Sequence, residues 1–304
     1  MNWTRFLTMA ALMAASEFAV AEEEGQYIEE VIVTATYRET SLMDTPLSVS
    51  AADADVIEQL GATSLDGLFR TLPGLNVAGG LTGSNRMVVR GISSQTGTQS
   101  FQQTFSTVAT YIDDTPMTSA NGPAQQLGGS LFDIERVEVL KGPQGTLFGE
   151  GSQGGTIRYI YNEPDPERVD YKIKAGFNTQ NESDDTGYRV DGMINLPLAD
   201  NFAVRVSAFS EEKAGWMDKV NLTPIEEDIN TLESTGGRLS AKWWPTDRLS
   251  IRGSVFYVDT ETVGSPFGQV PHDERENVRI PGLPAMSEDE FTLYNLRFDY
   301  NFDF

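Results

Sequence analysis

Beyond Pro166 the sequence falls into runs whose apolar side chains occupy every second position, and that period dictates extended strands with one oily face. In a first strand Tyr171, Ile173, Ala175 and Phe177 share a face, with Lys172, Lys174 and Asn178 on the other. A second sets Tyr188, Val190, Ile194 and Leu196 against Arg189, Asp191 and Asn195. A third sets Phe202, Val204, Val206 and Ala208 against Arg205 and Ser207, and a fourth sets Leu239, Ala241 and Trp243 against Arg238, Ser240 and Lys242. Residues 251–259 make a fifth, and a sixth sets Tyr294, Leu296, Phe298, Tyr300, Phe302 and Phe304 against Asn295, Arg297, Asp299, Asn301 and Asp303. A soluble sandwich with one wet face shows the same period. The connections discriminate: 197–200 and 245–248 are tight, whereas 179–187, 212–234 and 260–290 are long. Short turns alternating with long loops mark a membrane-spanning barrel, whose apolar face meets lipid and whose polar face lines the lumen.

Charge and residue counts exclude several other classes. The net charge is -23, from 22 basic and 45 acidic residues, which is wrong for a partner made of phosphates. With no cysteine there is neither a disulfide framework nor a thiolate metal site. His272 is the one histidine, so histidine-based triads and multi-histidine metal centres are out. Asp113-Asp114, Asp184-Asp185 and Glu226-Glu227-Asp228 lack the spacing of a calcium loop and read as solvated surface. Residues 149–154 satisfy G-x-G-x-x-G, but a strand-like run follows where a dinucleotide site needs a helix, and Glu150 repels phosphate. No cofactor and no catalytic constellation is expected.

The amino terminus sets the compartment. Arg5, a short apolar run over 6–15 and Ala19-Val20-Ala21 before three glutamates read as a cleaved export signal, residues 1–21. The run is shorter than the ~20 residues a membrane helix needs, and no later segment is long and apolar enough, so insertion must use strands. Next come Val31, Ile32, Val33 and Thr34, four β-branched residues in a row. Such a segment either adds to another protein's sheet edge or is the first strand of the folded domain.

Residues 45–164 read as a small α+β domain. A strand is expected over 46–50, then a helix capped by Asp53 or Asp55 and stopped by Gly61. A second helix follows, capped by Ser64, with Leu65, Leu68 and Leu72 at helical spacing before Pro73-Gly74. Strands are expected over 87–92, 108–113, 134–139 and 156–160. Six glycines lie between Gly142 and Gly155, where the backbone needs positive φ or close approach to a neighbour.

The run DIERVEVLKGPQGTLFG over 133–149, followed by GGTI, resembles the end of the plug domain of TonB-dependent outer-membrane receptors. LFRTLPGLNV, VVRGI and YIDDTPM resemble plug wording in the same order, and EEVIVTA over 29–35 resembles the TonB box. The resemblance implies a periplasmic segment over 22–44, whose Glu30, Val31, Ile32, Val33, Thr34 and Ala35 pair with the energy transducer TonB and its inner-membrane complex. It implies a plug over 45–164 with motif positions Arg90, Gly91, Asp113, Asp133, Glu135, Arg136, Glu138, Lys141, Gly142, Pro143, Gly145, Gly149, Gly154 and Gly155. Ligand would be met at loop tips, Leu81, Thr82, Gly83, Ser84 and Asn85, and Ser94, Gln95 and Thr96. Residues 165–304 would be the first six or so antiparallel strands of an incomplete barrel in the outer membrane of a Gram-negative bacterium. The implied function is energy-coupled uptake of a scarce solute, a ferric siderophore by family frequency, by a protein that is not an enzyme.

Length bears on this. A plugged barrel of 22 strands at about 10 residues each needs roughly 220 residues before loops, and roughly 140 follow Pro164. The expectation is an amino-terminal part of a receptor, the alternative a truncated, non-transporting remnant that acts as an exported binding module. The aromatic alternation up to Phe304 also resembles the closing strand of an outer-membrane protein, yet six strands cannot close around such a plug.

Overall fold

In the computed structural model, residues 32–35, 40–62, 65–69, 71–78, 86–92, 107–117, 131–179, 183–216, 218–219, 227–263, 276–277 and 286–302 are described. The chain runs through β1 (Ile32–Val33), β2 (Thr40–Ser41), β3 (Val49–Asp53), α1 (Ala54–Gln59), α2 (Leu65–Phe69), β4 (Leu75–Ala78) and β5 (Arg86–Val89). It continues through β6 (Val108–Ile112), β7 (Thr115–Pro116), β8 (Ile134–Lys141), α3 (Gly145–Phe148) and β9 (Gly155–Tyr161). Then follow β10 (Asp170–Thr179), β11 (Thr186–Ala199), β12 (Phe202–Lys213), β13 (Asp218–Lys219), β14 (Leu232–Thr246), β15 (Leu249–Val263), β16 (Glu276–Asn277) and β17 (Met286–Tyr300).

The first sheet is ordered β3-β8-β9-β6-β7, antiparallel except where β9 meets β6. Its two faces have opposite chemistry. Ala52, Val137, Val139, Ile157 and Tyr159 share a core with Ile57 of α1 and with Leu68 and Phe69 of α2, all buried. Each large side chain buried there contributes about 1.5–3 kcal/mol. The other face carries Arg136, Glu138 and Arg158, also buried, so charge here is structural. A Cβ built on Gly155 would lie 2.6 Å from the Leu140 carbonyl oxygen, so only glycine allows β8 and β9 to close at that point.

Local chemistry sets most of the boundaries. Asp53 caps α1 by accepting from the Val56 N–H at 2.8 Å, and Gly61 with φ 59 lets the chain turn out of it. The strand expected over 46–50 forms later, over β3, after the Pro46 kink. The strand expected to reach Ile92 stops at Val89, because Arg90 takes φ 52 and gives its N–H to the Gly74 carbonyl at 2.7 Å. Leu72 lies past the end of α2, and Ser64 is outside the described residues. The run after the G-x-G-x-x-G continues as β9, a strand and not the helix a dinucleotide site requires.

The second sheet is ordered β10-β11-β12-β14-β15-β17, each strand antiparallel to the next in chain order. Its burial is inverted relative to a soluble sheet. Tyr171, Ile173, Phe177, Leu239, Leu296 and Phe298 are exposed, Phe177 by 84%, while Arg205, Arg238 and Arg252 on the opposite face are buried. That distribution suits strands with lipid outside and a polar, occupied interior. At about 3.3 Å per residue, the 15 residues of β14, β15 and β17 cross a ~30 Å hydrocarbon layer while tilted. The strands run longer than the alternation suggested: β14 begins at Leu232, because the ladder to β12 and β15 continues through Gly236 and Gly237. Among the described residues β10 and β17 form the sheet's open edges, and no helix is long and apolar enough to cross a membrane.

Candidate functional site

The amino-terminal strand ends inside the first sheet's charged face. β1 pairs with β2 through Ile32↔Ser41 and Val33↔Thr40, and Val33 and Ala35 are fully buried while Ile32 is exposed. Between them Thr34 uses every polar atom it has. Its N–H donates to Glu138 Oε1 at 2.7 Å and its hydroxyl to the same oxygen at 3.2 Å. The hydroxyl accepts from Arg136 Nη2 at 3.1 Å and Arg158 Nη1 at 3.0 Å, and the Thr34 carbonyl accepts from Arg158 Nη1 at 2.7 Å. Glu138, itself fully buried, also accepts from Arg136 Nε at 2.9 Å and Arg158 Nη1 at 2.8 Å. Burying a carboxylate away from water costs about several kcal/mol unless such a set of donors surrounds it. Of the two readings of this segment, the first strand of the folded domain describes Ile32 and Val33 in this conformation; Glu30 and Val31 lie outside the described residues.

Beside this cluster is a cavity of about 430 Å³, lined in part by Thr34, Asp113, Glu135, Arg136, Arg158 and Arg252. Its far side belongs to the strands of the second sheet, whose inward cations grip carboxylates of the first domain. Arg205 holds Asp133 in a fork, Nε at 3.0 Å and Nη2 at 2.5 Å. Arg238 and Arg252 converge on Asp113 at 3.3 and 3.8 Å, and Asp113 also accepts the Tyr161 N–H at 3.1 Å. Arg252 reaches Glu163 at 2.5 Å, and Lys242 pairs with the same carboxylate. Arg297 holds Asp114 at 2.8 Å, whose other oxygen takes Arg158 at 3.0 Å. Asp113 and Asp133 both have positive φ, 51 and 61, a turn geometry that aspartate tolerates and that aims each carboxylate at the wall. Tyr161, Phe256 and Phe291 add an aromatic contact, with centroids 5.8 and 6.4 Å apart.

Electrostatics divides two neighbouring glutamates. Burial pushes the Glu135 carboxyl up, against the pull of Arg136. Burial pushes Glu163 up as well, but Arg252 and Lys242 together outweigh it and hold the group below the usual carboxylate range. A depressed folded value adds stability that is complete above the unfolded value and disappears as pH falls through the folded one. The protection that Glu163 gives its own loop, measured as the difference in amide exchange at Asn162 and Glu163 between the parent and Glu163→Gln, should therefore stay constant down to about pH 5 and close below about pH 4. A difference that closes already near neutrality would contradict this assignment.

Elsewhere, Arg90 gives Nη2 to the Ser48 hydroxyl at 2.5 Å and Lys141 gives Nζ to the Ser50 hydroxyl at 2.7 Å. Burial and then Arg90 lower the Lys141 pKa, and among the described residues neither cation meets a carboxylate. Gly142, Pro143, Gly145, Gly149, Gly154 and Gly155 build the turn from β8 through α3 into β9, where the Gly142 N–H bonds the Gly154 carbonyl at 2.9 Å. Gly91 sits in the turn after β5. The structure thus gathers Thr34, Asp113, Glu135, Arg136 and Glu138, and separates them from Arg90 and Lys141. Leu81, Thr82, Gly83, Ser84, Asn85, Ser94, Gln95 and Thr96 lie outside the described residues. The central partner missing from the sequence reading is Arg158, whose signal was a lone cation inside an otherwise β-prone run.

Comparison with known proteins accords with this geometry. Residues 41–156 match the family model TonB-dependent Receptor Plug Domain. The chain is 28% identical over 233 residues to the pesticin receptor of Yersinia pestis, spanning 76% of this chain and 32% of that protein. To the ferripyoverdine receptor of Pseudomonas aeruginosa it is 30% identical over 204 residues, 66% of this chain and 23% of that one. The crystal structure of the ferric yersiniabactin uptake receptor FyuA from Yersinia pestis gives a TM-score of 0.69 at 23% identity, over 84% of this chain and 39% of its own. The chain thus spans a third or less of the length of these curated relatives. A charged globular domain seated on the polar side of an inside-out sheet is one architecture in two parts: residues 41–156 are a plug domain of the TonB-dependent receptor family, and the relatives the chain matches are receptors of the Gram-negative outer membrane.

Proposed function

We propose that the chain serves energy-coupled uptake of a scarce solute, with a ferric siderophore as that solute. In this reading residues 1–21 are removed on export and residues 22–44 lie in the periplasm. Residues 45–164 are the plug, and residues 165–304 are wall in contact with outer-membrane lipid. TonB pulls on the strand Glu30 to Ala35, and the solute meets the plug tips around residues 81–85 and 94–96. One observation carries the reading: the plug's carboxylates Asp113, Asp114, Asp133 and Glu163 are held by cations of the wall's inner face, an arrangement that seals a passage with contacts water can replace. The solute class is supported by the names of the relatives, which include receptors for ferripyoverdine and ferric yersiniabactin.

The test is a proline at Ile32 in the receptor expressed from its own gene. Proline removes the N–H that strand addition needs. Energy-dependent accumulation of radiolabelled ferric siderophore should fall about tenfold while binding to de-energised cells stays within about twofold. Undiminished accumulation would reject residues 30–35 as the coupling strand.

A further inference from the structure

We propose that Thr34 is the latch of the coupling strand: by completing the buried Glu138–Arg136–Arg158 cluster it holds residues 32–35 on the plug, and its departure is what frees them. The proposal rests on the reading of residues 30–35 as the transducer's strand. The ladder itself does not suffice, since β1 and β2 pair over two residues only, and so short a pairing is marginal. Beyond the buried Val33 and Ala35, the hold comes from five hydrogen bonds at one residue, all to ionised groups. Bonds of that kind are the strong ones.

The receiver stays in place when the latch opens. Arg158 is also bonded to Asp114, and Asp114 to Arg297 of β17, so the cluster is moored to the wall independently of Thr34. Release is also reversible. The adjoining cavity of about 430 Å³ is polar and large enough for water to replace the Thr34 hydroxyl and backbone groups. A latch closed in a dry core would be permanent; one beside this cavity can open under a pull.

The chain has no cysteine, so a nitroxide attached through Ile32→Cys reports on this segment alone. In the full chain in bilayers, Thr34→Val keeps the shape and the backbone bonds but deletes the three bonds of the hydroxyl. The mobile fraction of the nitroxide should rise about tenfold, and Thr34→Ser should restore it. Amide exchange over residues 137–140 should stay within about twofold, whereas a merely structural role would speed both. The periplasmic domain of TonB, added as the probe, should bind Thr34→Val about tenfold more tightly, because the competent fraction has grown by that factor. An immobile label in Thr34→Val overturns the latch whatever TonB does. A mobile label without tighter TonB binding upholds the latch and rejects instead the identity of its strand.

Discussion

Glu138→Ala is expected to accelerate amide exchange across β8 and β9 by about two to three orders of magnitude. Glu138 is fully buried, and the side chains of Arg136 and Arg158 are 11% and 3% exposed. Removing the carboxylate takes the shared acceptor from both guanidiniums and the Thr34 N–H, leaving Arg136 to Glu135 and the Thr34 hydroxyl and Arg158 to Asp114 and Thr34. Breaking a buried pair from one side costs about 3–5 kcal/mol, and each 1.4 kcal/mol is a factor of ten in the opening equilibrium. Glu138 also pairs across the sheet with Arg158, in the middle of the β8–β9 ladder, so the loss acts on the core of the plug and not on its rim. Two variants separate the causes. Glu138→Gln keeps volume and one acceptor and should cost about a tenth of the exchange effect. Arg136→Met and Arg158→Met combined with Glu138→Leu remove the stranded charges too, and should return most of the protection, since a buried ionic cluster replaced whole by apolar side chains is near neutral. If that triple variant exchanges as fast as Glu138→Ala, unpaired charge is not the cause.

The sequence made some of this visible and hid the rest for identifiable reasons. The wall was legible because Tyr171 to Phe177 and Tyr294 to Phe302 repeat with period two, a property of each strand alone. The ends of the strands were not, since β14 continues through Gly236 and Gly237 on the strength of its neighbours' ladders, with no side-chain pattern of its own. In the plug, the Asp53 cap, one of two aspartates the sequence offers, and the Gly61 stop are local chemistry and legible. The early end of β5 depends on Arg90 bonding Gly74, and the pairing of β1 with β2 rests on two residues, so neither has a local signature. For the site, the polar inner face with Arg205 and Arg238 was readable as a face. Its partners were not, because Asp133 lies 72 residues from Arg205 and Asp113 lies 125 from Arg238, and period-two patterning carries no information about which carboxylate meets which cation.

The seat of the plug on the wall should be most sensitive at Asp113, and Asp113→Ala is expected to raise exchange at the Tyr161 amide about a hundredfold. Three losses coincide there. Tyr161 N–H loses the acceptor it has at 3.1 Å, Arg238 loses its carboxylate while 3% exposed, and alanine must adopt a φ of 51. Arg252 suffers less, because Glu163 still holds it at 2.5 Å. Arg238 keeps only the Asn162 carbonyl at 2.9 Å and the face of Tyr161 at 5.0 Å among these contacts, and a ring is a weak substitute for a charge. The left-handed backbone alone accounts for about 1 kcal/mol and the stranded charge for about 1.5, which with the lost Tyr161 acceptor give the hundredfold. Asp113→Asn tolerates the turn and still accepts from Tyr161, so it should lose only the charge component, about tenfold. Adding Arg238→Met to Asp113→Ala should recover that same tenfold, since the two groups are in direct contact and their effects should not add. Strict additivity of the two substitutions would mean that Arg238 does not depend on Asp113, and the plug would then be held at this point by its aromatic contact with Phe256 instead.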